Sequence, residues 1–199
     1  MDNLGIRGCR QQIIRMIVII NLEETYNLVS VEPDLTEATF KSIDKNDNPV
    51  LLKIMIQPLN DPFLSEVYNL SFGPPKDDGT IDDDAKISHQ DSNKAFSTII
   101  LFALVFLTKN PNFTIGVDGS NDVRAYMYHR MFLTNRAYLR EYFLTLGVDW
   151  CVRLLRNWEI EKDTQGDPFW KPRPELFDYQ RNTQDLYRYY MFHIAKKGS

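Results

Sequence analysis

The sequence predicts an α+β fold, and three observations carry that reading. Short β-type runs separated by turn residues fill the stretch up to Gly73. The segment Ala95 to Leu107 is apolar on nearly every face, as in a buried helix. A short apolar run at Phe113 to Val117 then leads into a long stretch of helical composition. Together they describe an antiparallel sheet of three to four N-terminal strands packed on a buried central helix, followed by a strand–helix unit.

Tyr26 to Val31 is β-like in residue type, and Ala38 to Asp44 alternates around Phe40 and Ile43. The turn cluster Lys45-Asn46-Asp47-Asn48-Pro49 separates it from Val50 to Ile56, a buried strand broken once by Lys53. Tyr68 to Gly73 alternates strictly, with Tyr68, Leu70 and Phe72 on one face, and Pro74-Pro75 ends it. Short connections between these runs favour an antiparallel meander. After a polar loop over 74–93, Asp91-Ser92-Asn93 offers N-caps for the central helix, which Asn110-Pro111 stops.

Asn121 to Leu146 reads as helical, with Tyr126, Arg130, Leu133 and Ala137 along one stripe, a break near Thr134-Asn135 and a stop at Gly147. Trp150 to Ile160 leans towards strand. Residues 161–185 carry Pro168, Pro172 and Pro174 and read as an extended or partly disordered arm. Leu186 to Ala195 is aromatic and is expected to dock as a final helix. The organisation expected is therefore an N-terminal extension (1–23), one α+β domain (24–160), and a Pro-rich arm with an aromatic C-terminal segment (161–199). Residues 1–20 are expected to add little to the core.

Composition limits the function classes. With 199 residues, 43% of them hydrophobic, the chain buries a core without metal or disulfide staples. The two cysteines, Cys9 and Cys151, form neither a disulfide framework nor a zinc pattern. Arg7, Arg10 and Arg15 before an apolar run look like a signal peptide, but the run is short and no small-residue cleavage site follows. A cytoplasmic, reduced setting, with no membrane association, is the expectation. Net charge is −4, and it is unevenly spread: residues 1–123 hold 10 Lys and Arg against 18 Asp and Glu, residues 124–199 hold 13 against 9. The halves attract each other, or the basic half meets an anionic partner. The balance is too acidic for a dedicated nucleic-acid binder.

Three constellations stand out. The loop aspartates Asp77, Asp78, Asp82, Asp83 and Asp84 lack the ligand spacing and closing Glu of a calcium loop, so they read as turn caps; no metal and no cofactor is expected. The second constellation follows a strand and opens a helix: Gly119, Ser120, Asn121 and Arg124, then Tyr128, His129 and Arg130. Small residues there expose backbone N–H groups, the helix dipole favours an anion, and Arg124 one turn on can add a planar fork. Tyr128 shares the Arg124 face. Gly119, Ser120, Asn121, Arg124, Tyr128 and Arg130 are thus a candidate anion or phosphate site, with Lys94 and His129 in support. The alternative is structural: Ser120 or Asn121 caps the helix and Arg124 pairs with an aspartate such as Asp122. No nucleophilic triad or metalloprotease motif is present, so no catalytic residue is assigned and enzyme activity is left open. Third, Arg136, Tyr138, Arg140, Tyr142, Arg153, Arg156, Trp158 and Tyr187 to Tyr190 interleave cations with aromatics. That pattern suits core and rim first, then a protein interface, then RNA.

Tyr68-Asn69-Leu70-Ser71-Phe72-Gly73, Asp82-Asp83, Ser88, Asp91, Lys94 and Gly119-Ser120 with Arg124 and Tyr128 resemble, over about residues 24–145, an uncharacterised bacterial domain-of-unknown-function family. The resemblance implies a shared fold unit and a shared pattern including Arg124 and Lys94, and it brings no reaction with it. Two functions are compatible. One is a small intracellular binding module acting through protein contacts, in a toxin–antitoxin or defence setting. The other is an RNA- or nucleotide-directed protein, such as a metal-independent ribonuclease-like toxin using Arg124, Tyr128, His129 and Arg130. A protein partner is expected, and a homo-oligomer is left open.

Overall fold

A computed structural model describes residues 17–82, 85, 88–119 and 121–195. Residues 1–16, Asp83, Asp84 and Ser120, all invoked above, lie outside the described residues. The strands are β1 (Leu28–Val31), β2 (Glu37–Ile43), β3 (Pro49–Pro58), β4 (Val67–Gly73), β5 (Thr114–Asp118), β6 (Phe143–Val152), β7 (Trp170–Leu176) and β8 (Tyr189–Ile194). The helices are α1 (Ser92–Lys109), α2 (Asp122–Thr134) and the single turn α3 (Arg136–Leu139).

All eight strands form one sheet in the order β1-β2-β3-β4-β5-β8-β6-β7. The first four are the expected meander, each antiparallel to the next. The sheet is mixed rather than antiparallel, because α1 carries the chain back from the end of β4 to the start of β5, which lies parallel to it. Leu52, Ile54 and Ile56 of β3, Leu70 of β4, Ile115 and Val117 of β5, and Tyr190 and Phe192 of β8 point to the helix face. There they meet Phe96, Ile99, Ala103, Phe106 and Leu107 of α1 and Ala125, Tyr128, Met131 and Phe132 of α2. By length and composition α1 could cross a membrane; here it is the central core helix, with Ala103 and Leu107 fully buried. The opposite face carries a smaller cluster, Leu64, Val67, Val148, Tyr189 and Met191, to which no helix contributes.

Four expectations need correction. The 121–146 helix ends earlier: Asn135 breaks it, as the composition suggested, but Phe143 already begins β6. Its buried residues are Ala125, Tyr128, His129, Met131 and Phe132, so the Tyr126–Arg130–Leu133–Ala137 stripe is not the core face. Gly147 stops no helix; it sits inside β6, where the Tyr187 ring lies against it and occupies the space a Cβ would need. The expected final helix is strand β8, inserted between β5 and β6. Its residues are buried on both faces, Tyr190 and Phe192 on one and Tyr189 and Met191 on the other, so an alternating pattern was not visible.

The segment before β1 also differs from expectation. Val18 and Ile20 are core residues. The extended backbone there is held by side chains of the helices rather than by another strand. Asn93 Oδ1 accepts from the Ile19 N–H at 2.9 Å, and Asn135 Oδ1 accepts from the Ile20 N–H at 2.8 Å. Asn135 Nδ2 donates to the Val18 carbonyl at 2.8 Å. Ser97 Oγ accepts from the Asn21 N–H, the Tyr138 hydroxyl from Leu22, and Thr98 Oγ1 from Tyr26.

Candidate functional site

Strands β4 and β5 pair only from Val67↔Thr114 to Asn69↔Gly116. Beyond that point β4 continues against β3 alone, and β5, paired with β8 along its whole length, continues against β8 alone. A crevice opens where they part, at the carboxyl ends of the sheet's parallel pair. The loop leaving β4, through Pro74, Asp82, Ser88 and His89, and Asp118 at the end of β5 line it together. The crevice has a volume of about 680 Å³, within the range of small-molecule sites.

Its walls come from distant parts of the chain. Asn69 to Gly73 of β4 form one side, and Asp118 at the end of β5 with Arg124, Met127 and Tyr128 of α2 form another. The start of α1 closes the top with Asp91, Ser92, Asn93 and Phe96; Asp82, Ser88 and His89 enter from the polar loop, and Ile17 stands at the rim. The starts of α1 and α2 are each capped by a side chain. Asp91 accepts from the Lys94 N–H at 2.9 Å, and Asn121 accepts from the Arg124 N–H at 2.9 Å. Gly73 is needed for close approach: a Cβ there would collide with Asp82 backbone. Phe72 and Phe96 meet edge to face at 5.4 Å and give the crevice an aromatic wall. His89 Nδ1 lies 3.0 Å from Ser42 Oγ, and burial lowers its pKa, so at neutral pH it adds no charge to the crevice.

The residues singled out from sequence separate into two groups. Arg124 and Tyr128 line the crevice. Asn121 is the cap. Gly119 makes the close turn, its Cβ position pressing on Tyr190 and Ala125, and its N–H donates to the Arg188 carbonyl at 2.9 Å. Two of the turn's N–H groups, those of Gly119 and Arg124, are thus already used. Asp122 pairs with Arg188 at 2.7 Å. Lys94 lies elsewhere, its Nζ 4.9 Å from the centre of the Tyr26 ring. His129 and Arg130 are not among the crevice residues. Asp118, Asn69, Phe72 and Phe96 were missed. Asp118 carried a signal, a carboxylate directly before Gly119-Ser120; the aromatics carried none, since alternation marks core and pocket wall alike.

His129 is a separate matter. It is 2% exposed, packs on Phe177 with ring centres 5.4 Å apart, and its Nδ1 has no hydrogen-bond partner. Burial lowers its pKa from the ordinary 6.5, and Arg130 and Arg181 push the same way against Asp178. A folded pKa below the unfolded one means that the unfolded state binds the proton first as pH falls. Stability is therefore full above about pH 6.5 and declines below it. Melting at pH 7.5 and pH 5.5 should show a lower Tm at the acid value, and His129→Phe should shrink that difference. An unchanged difference in the variant would exclude His129 as its source.

A mixed eight-stranded sheet with its helices packed on one face, and a crevice where β4 and β5 part, defines an α+β protein. The chain belongs to a family of unknown function, DUF6934, whose model matches residues 22–164. The match extends past the 24–145 stretch read from motifs and takes in all of β6. No curated protein and no solved structure matches the chain.

Proposed function

We propose that the crevice binds a phosphate-bearing small molecule of nucleotide type, and that the protein is a binding module built around it. The observation that carries the reading is the convergence on one crevice of Tyr128 and Arg124 with Asp118, Asp82 and the Phe72–Phe96 wall, from segments far apart in sequence. A guanidinium suits a phosphate through its planar fork. Carboxylates suit hydroxyl or amino groups, and flat aromatic side chains suit a base. Because the Gly119 and Arg124 N–H groups are engaged, the Arg124 side chain is the group proposed for the anion contact.

Calorimetric titration of the full chain with AMP and with a 5′-phosphorylated RNA tetranucleotide tests this. Binding of either is expected. Arg124→Ala should weaken it by about tenfold to a hundredfold, the loss of one charged hydrogen-bond partner. Arg124→Lys should recover part, since charge is kept and the fork is lost. A Tm close to wild type would separate a binding role from a structural one. Equal affinity in Arg124→Ala, or no heat with either probe, would overturn the proposal.

A further inference from the structure

The open face of the sheet carries a surface whose pattern contradicts its exposure. Strand β7 reads W-K-P-R-P-E-L, apolar and charged residues in strict alternation. Its charged set faces the same way as Asp149 of β6, where Arg173, Glu175 and Asp149 join Arg181 in an ion-pair cluster. Its apolar set, Trp170, Pro172, Pro174 and Leu176, pairs across to Val152, Trp150, Val148 and Leu146. Eight cross-strand positions thus hold no charge. Alternation of this kind marks the apolar side for burial. Yet Leu176 is 67% and Trp170 55% exposed, and no helix contributes to this face's core cluster. Trp150, Trp170, Pro174 and Leu176 are the exposed members, beside the buried Val148, and exposed apolar side chains grouped in this way mark an interaction surface.

We infer that this face is the dimer interface, covered by the same strip of a second copy related by a two-fold axis. Three features favour a second copy. An uncharged strip is self-complementary: a two-fold sets each position against its own kind without like-charge repulsion. The area fits a weak dimer. With side-chain areas of roughly 150–250 Å², the exposed parts of Leu144, Trp150, Trp170 and Leu176 come to roughly 400 Å² per chain. Two copies then bury about 800 Å², the small end of the range, where association depends on concentration. Finally, β7 is the edge strand, and Pro172 and Pro174 remove the outward donors that an edge-to-edge pairing would use. Association is therefore directed to the face.

Light scattering on the full chain at tens of micromolar should give twice the 23.3 kDa chain mass. Leu176→Lys and Trp170→Glu each place a charge against its own copy and should return the mass to that of one chain. Both side chains are solvent-exposed in one copy, so circular dichroism of the variants should match wild type. Wild-type Tm should rise with protein concentration, and the variants should lose that dependence. A wild-type mass of one chain, or variants that stay dimeric, would overturn the inference, the first pointing to a different partner for the strip.

Discussion

Gly147→Ala should be among the most damaging single-methyl changes in this protein. The Tyr187 ring, fully buried, lies against Gly147 where the new Cβ would sit. Tyr187 cannot simply shift. Its hydroxyl donates to Glu175 at 2.6 Å, and the Arg181 guanidinium stacks on its ring at 3.8 Å. Arg181 in turn reaches both Asp149 oxygens, at 3.0 and 2.6 Å. Displacing the ring therefore also unseats a charged network that is only partly open to water. Overpacking alone costs typically about 1–3 kcal/mol, and loss of an aromatic's packing about 3–5. A loss of about 3 kcal/mol or more is expected, or roughly 6–12 °C in Tm for a chain of this size. The gain in backbone rigidity from Gly to Ala, about 0.5–1 kcal/mol, does not offset it. Chemical denaturation of Gly147→Ala, Tyr187→Ala and the double variant closes a cycle. The double variant should be little worse than Tyr187→Ala alone, because the ring is what the methyl strikes. Additive losses would mean that the ring does not rest there.

Asn135→Ala should produce the second large effect. Asn135 is buried at the end of α2, and its amide serves three backbone groups: the Ile20 N–H, the Val18 carbonyl and the Met131 carbonyl. Alanine leaves the first two without a partner at a site closed to water, at about 1–3 kcal/mol each. The expected loss is about 2–5 kcal/mol, accompanied by faster hydrogen exchange at Ile20. A loss under about 1 kcal/mol with unchanged exchange would show that the 17–22 segment does not dock as described. This outcome also bears on the expectation that residues 1–20 add little: for Val18 and Ile20 the core shows otherwise.

What was legible in the sequence was local. The strand at Tyr68 to Gly73 and the helix at 92–109 announce themselves by period, by Pro74-Pro75 and by the Asp91 cap. The strand–helix turn at 118–122 was visible for the same reason. Less visible was anything set by contact across the chain. A glycine under an aromatic ring looks like a helix stop, because the sequence does not show what lies above it. An Asn between two helices looks like a break, which it is, and not like a clamp on a segment over a hundred residues away. For the crevice, Arg124 and Tyr128 were found because turn chemistry is local; Asp118 and the Phe72–Phe96 wall were not, because only the parting of β4 from β5 brings them together.

The position of β8 has a consequence for how the protein is made. Last in sequence among the described strands, it lies between β5 and β6. Until it has left the ribosome, the growing polypeptide holds a five-stranded piece and a β6–β7 ribbon, each ending in an unsatisfied row of amides and carbonyls. Such rows are open to mispairing with neighbouring chains. The final step resembles the closing of a zip from both sides at once, and it must await the synthesis of β8. Its contacts also span long stretches of sequence, which slows the search. Expression at low temperature, where nascent chains are fewer and aggregation slower, should therefore favour the soluble product.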